Sequence, residues 1–280
     1  MNASALRALG AVNAGALRAL GADLTDMLLG RACPGCGGPV PRAAEVCARC
    51  DDRVPRTGAV LCLRCMQDGS GPGAASPIEG GPRSRGGGCP RHGSERLVLA
   101  GPSFEPPLDR VIHAFKYSGA RALHRWLASL LPEPPGRDTG VWREYALVPA
   151  PLHPARRAWR GFDQARLLAD TAGATWGIPV APVLERGRDT PPQAKTGADG
   201  RRANVRGAFA LTPEGARLAA GRALLLVDDV ATTGSTLLEA AAALEPARPA
   251  WILALTVAHG GLEGAPETTS PARVAAPRRL

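Results

Sequence analysis

The sequence lacks several features that would place it in a well-defined class at once. No apolar segment is long enough to cross a bilayer. Charged residues at Arg7, Arg18, Asp23 and Asp26 interrupt the apolar N-terminal part, which argues against a secretory signal. Aromatic residues make up only 4% of the 280 residues, whereas glycine (34) and proline (27) are frequent, so long loops are expected. The composition is that of a soluble globular protein, and we expect a cytoplasmic location.

Acidic residues are in the minority, and this imbalance bears on possible ligands. The chain has 34 lysines and arginines against 25 aspartates and glutamates, a formal net charge of +9. A basic surface suits phosphorylated ligands or nucleic acid. An arginine-rich composition can also reflect a GC-rich genome, so charge alone does not decide between a binding surface and a bias of composition.

The cysteines are few, but six of the seven form three pairs with two residues between the members. The seventh, Cys89, has the same spacing to His92. Two such pairs can hold one tetrahedral zinc ion, whereas disulfides are the alternative for a secreted chain. We assign a first structural zinc to Cys33, Cys36, Cys47 and Cys50, and a second to Cys62, Cys65, Cys89 and His92. A glycine-rich, low-complexity tract separates the two halves of the second set, so other pairings remain open.

The chain is organised around one stretch, residues 223–236. An apolar run at 223–227 predicts a strand buried on both faces, and Asp228 and Asp229 follow it. Small and hydroxyl residues then lead into a predicted helix at 237–244, and such a loop at a helix start favours an anion. No lysine ends the loop, so it is not a GxxxxGK[ST] nucleotide loop. The carboxylates suit hydroxyl groups or a hydrated cation, so the ligand has the chemistry of a ribose 5-phosphate. The alternative is an ordinary strand-to-helix turn.

Two motifs carry a family resemblance. VDDVATTGST resembles the phosphoribosyl pyrophosphate (PRPP) loop of type I phosphoribosyltransferases. LVPAPLHPARRAWRGFDQARLLA resembles the ComF-type homologues of those enzymes, with Asp163 where that family usually carries Asn. An aspartate can cap the following helix as well as an asparagine can. Gln193, Arg201, Asn204 and Phe209 repeat the spacing of a third family motif, and the preceding cysteine pairs also match.

The resemblance implies a site. Asp228 and Asp229 would contact the ribose hydroxyls as the catalytic pair, and the loop would wrap the 5-phosphate through Ala231, Thr232, Thr233, Gly234, Ser235 and Thr236. Mg²⁺ would bridge the ligand's oxygens. Positive groups would stabilise the leaving pyrophosphate. The candidates are the turn Pro149, Ala150, Pro151 with the backbone amides of 150–152, and the cations Arg156, Arg157, Arg160, Lys116 and Arg201.

The predicted fold class is α/β. We expect a type I phosphoribosyltransferase-like, mainly parallel sheet flanked by helices at 96–259, preceded by a small zinc-ribbon-like domain at 30–95 that includes the low-complexity insert 67–95. Residues 1–29 are expected to form a helix or an extension, and residues 260–280 a disordered tail. Strands are expected near 97–101, 145–148, 179–184, 209–211, 223–227 and 251–258, and helices near 107–116, 122–131, 167–176 and 237–244.

No acceptor site can be found in the sequence, so the enzymatic assignment is uncertain. One hypothesis is a phosphoribosyltransferase that uses PRPP and an unknown acceptor in DNA uptake during natural competence. The alternative is a non-catalytic PRPP-sensing or single-stranded DNA-handling competence protein. The resemblance implies PRPP, single-stranded DNA and competence proteins such as a helicase as partners. An N-terminal nucleophilic cysteine of the glutamine-dependent amidotransferases is missing, because the cysteines are occupied in pairs.

Overall fold

The computed structural model describes residues 31–68, 88–93, 96–136, 144–187 and 207–260. The expected N-terminal extension, the C-terminal tail from 261, most of the low-complexity insert and the loop that contains Gln193, Arg201 and Asn204 lie outside the described residues. None of the helices in the described ranges combines the length and the apolar character needed to cross a membrane.

A five-stranded sheet forms the centre of the molecule. Its spatial order is β3-β4-β9-β8-β5, and only the β3–β4 pair is antiparallel. The four parallel strands are largely buried on both faces, as their unbroken apolar runs require. This confirms the predicted α/β class with a mainly parallel sheet. The strands are β3 (Ala59–Cys62), β4 (Leu97–Ala100), β5 (Tyr145–Pro149), β8 (Ala223–Ala231) and β9 (Trp251–His259).

Helices cover both faces of the sheet and create two apolar cores. One core joins α3, α4 and α6 to the face that carries Leu225 and Val227. The other joins α2, α7 and α8 to the face that carries Leu224 and Leu226. The helices are α1 (Ala48–Asp51), α2 (Leu63–Asp68), α3 (Leu108–Tyr117), α4 (His124–Ala128), α5 (Pro154–Arg160), α6 (Gln164–Trp176), α7 (Pro213–Ala219) and α8 (Ser235–Leu244).

One expected strand differs from its prediction. Residues 179–184 were expected to extend as a strand, but Val180 makes only an isolated bridge to Leu147. Pro179 and Pro182 have no N–H to donate, so they interrupt a ladder here. The strand begins instead at Leu184, and β6 (Leu184–Arg186) pairs antiparallel with β7 (Phe209–Leu211) in a separate two-stranded sheet.

The cysteine-rich part is joined directly to the main sheet. Its first segment forms a short antiparallel pair, β1 (Arg31–Ala32) with β2 (Pro39–Val40). The next strand, β3, pairs with β4 along its whole length and is fully buried. The two predicted domains therefore share a sheet and a hydrophobic core. The domain boundary at residue 95 stays a prediction.

Candidate ligand site and metal clusters

Four cysteines of the N-terminal part converge on one point. Their sulfurs lie within 4.8 Å of one another, and the closest pair, Cys36 and Cys47, is 3.6 Å apart. Ligands about 2.3 Å from a tetrahedral zinc lie about 3.8 Å from each other, whereas a disulfide would need about 2.05 Å. The set could therefore bind zinc, as predicted, through Cys33, Cys36, Cys47 and Cys50.

Backbone donors prepare one sulfur of this first cluster for a metal. Burial raises the pKa of the Cys33 thiol, but N–H groups of Cys47, Gly35 and Cys36 outweigh it and lower that pKa to about 7. Thiolate, not thiol, is the metal ligand. Gly37 has φ +75°, a conformation that lets the chain reverse directly after Cys36.

A second cluster has the predicted mixed composition. The Nδ1 atom of His92 lies 3.3 Å from Cys62 Sγ, 3.5 Å from Cys65 Sγ and 3.7 Å from Cys89 Sγ. Cys65 and Cys89 are 3.6 Å apart. Burial raises the pKa of Cys89, yet the N–H groups of Arg91 and His92 lower it to about 6. These spacings again match a tetrahedral site, so this set could also bind zinc.

The second cluster lies beside the loop that follows β8. Cys62 ends β3 and Cys65 lies in α2, which packs against α8. At Gly234 a methyl group would lie 3.1 Å from both the carbonyl oxygen and the Cδ2 atom of Leu63. The loop and the cluster are therefore in direct packing contact through α2.

The paired carboxylates lie inside a strand and not after it. The predicted strand ended at Val227, but β8 continues to Ala231 because β9 runs beside it. The other neighbour, β5, ends at Pro149 opposite Val227. Asp228 and Asp229 therefore extend beyond β5 at the carboxyl edge of the parallel strands, where ligands bind in open α/β sheets.

The two carboxylates have different surroundings. Successive residues of a strand face opposite sides of the sheet, so Asp229 shares the α3 side with Val227, and Asp228 shares the α8 side with Leu226. Lys116 Nζ lies 2.7 Å from Asp229 Oδ1. No local sequence pattern joins these two residues; the fold brings them together by placing the last turn of α3 at the end of β8.

Within the described part of the chain, no cation lies at bonding distance from Asp228. Burial, and then the charge of Asp229, raise the pKa of Asp228 from 3.8 to about 7. The backbone N–H of Asp229 donates to Asp228 Oδ1 at 2.8 Å and lowers this pKa, as do the positive charges of Lys116 and Arg186. These effects only partly offset the increase. A carboxylate poised near neutral pH at a sheet edge is typical of a functional site.

The loop after β8 has the geometry of an anion site. Gly234 takes φ +69° and caps α8, so the chain turns sharply before the helix begins. Among the described residues, the N–H groups of Thr232, Thr233 and Gly234 donate to no acceptor. The hydroxyl oxygens of Thr233 and Ser235 lie 3.0 Å apart, and Thr232 is exposed. Unused N–H groups at a helix N-terminus favour a negatively charged ligand.

The N–H groups of the turn after β5 donate to acceptors within the chain. The Ala150 N–H donates to Val227 O at 2.9 Å, and the Leu152 N–H donates to Asp163 Oδ2 at 2.9 Å. Pro151 has no N–H. The role of the amides of 150–152 in binding pyrophosphate therefore stays a prediction, and it would require these hydrogen bonds to be exchanged. Asp163 has a second role that was predicted: its Oδ1 accepts from the Arg166 N–H at 3.1 Å and caps α6.

The predicted cations are distributed over several elements. Arg156, Arg157 and Arg160 lie on α5, a helix without buried residues. Arg160 Nη1 donates to the buried Gln164 Oε1 at 2.8 Å, and its guanidinium lies 5.0 Å from the centre of the Tyr117 ring. Sequence reasoning missed Gln164, and no helical spacing indicates this contact, because Arg160 ends α5 and Gln164 begins α6. Arg201 lies outside the described residues.

About half of the chain is similar in sequence to known proteins. No family model matches the chain. Competence protein F of Haemophilus influenzae is 34% identical over 149 residues, and the DNA utilization protein YhgH of Salmonella typhimurium is 34% identical over 155 residues. YhgH of Escherichia coli K12 is 32% identical over 154 residues. These similarities support the resemblance to the ComF family. Each match covers 52% of this chain, and the chain spans 64% of the length of each relative.

Proposed function

We propose that this protein binds PRPP with Mg²⁺ at the carboxyl end of β8. The observation that carries the proposal is that Asp228 and Asp229 lead directly into a loop with unused donors. The N–H groups at 232–234 of this loop have no acceptor among the described residues. Such N–H groups suit a phosphate, and carboxylates suit the hydroxyl groups of a sugar. A ribose 5-phosphate carries both groups a few ångströms apart.

Each part of the site then has a separate task. The loop 231–236 holds the 5-phosphate through its N–H and hydroxyl groups. Asp228, on the face that Lys116 does not contact, accepts from a ribose hydroxyl. Asp229 holds Lys116 at 2.7 Å, and this ion pair keeps a positive charge near the ligand's pyrophosphate. Arg156 and Arg160 extend that positive field from α5.

Magnesium fits the same edge of the sheet. Oxygen ligands and water are what Mg²⁺ prefers, and the two partly buried carboxylates provide the charge that attracts it. When bound, the ion would neutralise charge on the pyrophosphate. The chain's own residues orient the ribose and shield one face of the sugar from water, and an acceptor has to approach from the open side left by the end of β5.

We propose that the protein acts in competence or DNA utilisation, with transfer of the phosphoribosyl group to an acceptor still to be identified. The relatives' names, competence protein F and DNA utilization protein, support the first part of this statement. Both cysteine clusters are proposed as structural zinc sites, because four protein ligands in each leave no open coordination position.

A second candidate function is handling of single-stranded DNA without catalysis. The observation that favours it is α5, which carries three arginines, no acidic residue and no buried residue. Neutralised phosphates release counterions, so such binding weakens steeply with salt. The two candidates share Arg156 and Arg160 of α5, so PRPP at the end of β8 and DNA along α5 would compete for these cations.

Calorimetric titration with PRPP and Mg²⁺ tests the main proposal. Asp228→Asn with Asp229→Asn should lower PRPP affinity at least about tenfold, the value of one or two charge-assisted hydrogen bonds. Asp170→Asn is the matched control, because Asp170 also pairs with a cation, Arg166, but lies on the surface of α6. Equal affinity of the double variant and the control would refute the proposal.

A further inference from the structure

Two exposed aromatic side chains meet near the candidate site. The described residues include four large exposed hydrophobic side chains, of which Tyr117 and Trp159 are 44% and 49% exposed. They come from α3 and α5, and yet their ring centres are 6.0 Å apart. A single exposed aromatic is ordinary, whereas a pair assembled from two elements needs an explanation.

Cations surround this pair. The Arg160 guanidinium lies 5.0 Å from the centre of the Tyr117 ring, and its Nη1 donates to Gln164 Oε1 at 2.8 Å. The centre of the His113 ring lies 4.6 Å from that of Tyr117, and the two rings are tilted by 49°. The rest of α5 adds two arginines and no acidic side chain. Tyr, Trp and Arg are also enriched at protein interfaces, so the excess of arginines along α5 and the test below must separate a nucleic acid from a protein partner.

Aromatic rings interleaved with arginines match the chemistry of a single-stranded nucleic acid. Bases stack on exposed rings regardless of sequence, and arginines track the phosphates between them. The pair also lies next to the ligand site, because Tyr117 directly follows Lys116, which contacts Asp229. A DNA strand that lies along α5 would therefore pass the end of β8 that extends beyond β5.

We propose that Tyr117, Trp159 and Arg160 form a binding site for a nucleobase of single-stranded DNA, with the other arginines of α5 along the adjacent phosphates. The proposal rests on the second candidate function and assigns it specific residues. The base stacks on the exposed part of the Trp159 ring, and Arg160 holds Tyr117 in place behind it. A phosphate-only surface would need the arginines but not the rings.

The test compares two strands that differ only in their bases. Fluorescence anisotropy at low salt would follow the full chain, loaded with zinc, on labelled oligothymidylate of about 12 nucleotides and on an abasic strand of equal length. We expect the thymidine strand to bind at least about fivefold more tightly, the lower end of what one stacked base contributes. Trp159→Ala should remove this preference and leave the abasic affinity unchanged, whereas Trp159→Phe should retain most of it.

Controls separate this site from a general loss of structure. Leu218→Ala removes a side chain that is 44% exposed on α7, and it should change neither affinity. Trp159→Ala should still bind PRPP as the unchanged protein does. Free thymidine should compete poorly, because it lacks the phosphates that α5 holds. Equal binding of both strands would leave a protein partner for the rings and overturn the proposal. A failure to bind either strand would also reject the DNA-handling function, whatever the result with PRPP.

Discussion

Replacing Asp228 by asparagine should stabilise the protein more at pH 8 than at pH 5. Burial and the neighbouring Asp229 raise the pKa of Asp228 from 3.8 to about 7 in the folded protein. Between these values the folded state holds a proton that the unfolded chain has released. The free energy of unfolding therefore falls as pH rises from about 4 to about 7, and then levels off. Asparagine carries no charge at any of these pH values, so the variant lacks this decrease.

The size of the effect follows from the same two values. At about 1.4 kcal/mol for each pH unit, the difference between 3.8 and about 7 sets an upper limit of about 4 kcal/mol. Asp228 is only partly buried and water screens its charge, so we expect about 1–2 kcal/mol at pH 8. At pH 5 the unfolded carboxyl is already ionised, so the variant should show about a third of the advantage that it has at pH 8, and the two proteins should have nearly equal stability only below about pH 4.

Urea unfolding at several pH values measures this effect. The quantity of interest is the difference between Asp228→Asn and the unchanged protein at each pH, because the protonation of metal ligands is common to both and cancels. Asp170→Asn serves as the control, since its partner Arg166 is a surface residue. A stability difference that is the same at pH 5 and pH 8, or larger at pH 5, would refute the reasoning. PRPP affinity should show the opposite trend and rise through pH 7 as Asp228 ionises.

Further predictions concern the metal, the loop, the ion pair and DNA. Elemental analysis should find about two zinc atoms per chain, and mapped disulfides in place of zinc would contradict both cluster assignments. Gly234→Ala should weaken PRPP binding in calorimetry and lower stability by about 1–2 kcal/mol, because φ +69° and the contact with Leu63 both disfavour a side chain; unchanged binding would show that the loop is not a phosphate site. Lys116→Met should lower PRPP affinity by leaving Asp229 unpaired, and a variant that binds as before would place the lysine outside the site. Single-stranded DNA binding should weaken by at least about tenfold between about 50 and 200 mM salt, and a flat response would argue against phosphate contacts.

Local patterns predicted the elements that apolar runs define. The strands at 97–100, 145–149 and 251–259 match their predictions closely, because a strand buried on both faces needs an unbroken apolar sequence. The cysteine pairs predicted both clusters for a similar reason, since a two-residue gap is a local constraint on where two ligands can lie.

Contacts between distant parts of the chain were not predictable in this way. Lys116 and Asp229 are far apart in the sequence, and no local pattern joins them. The hydrogen bonds of the Ala150 and Leu152 N–H groups were not predictable, because their partners, Val227 and Asp163, come from a neighbouring strand and a helix cap. Strand β3 was assigned to the metal-binding part because its four residues lie between cysteine pairs, whereas its pairing partner begins only at Leu97.

The position of β3 changes the meaning of the second cluster. A metal held by Cys62 and Cys65 would fix the end of β3 to the start of α2, and the Leu63 N–H already donates to the Arg96 carbonyl beside β4 at 2.9 Å. The opposite side of Leu63 touches Gly234, the residue that turns the chain into α8. The second cluster is therefore not an appendage with its own fold: it lies under the loop whose N–H groups are available for an anion, and the shape of that loop depends on the packing of α2.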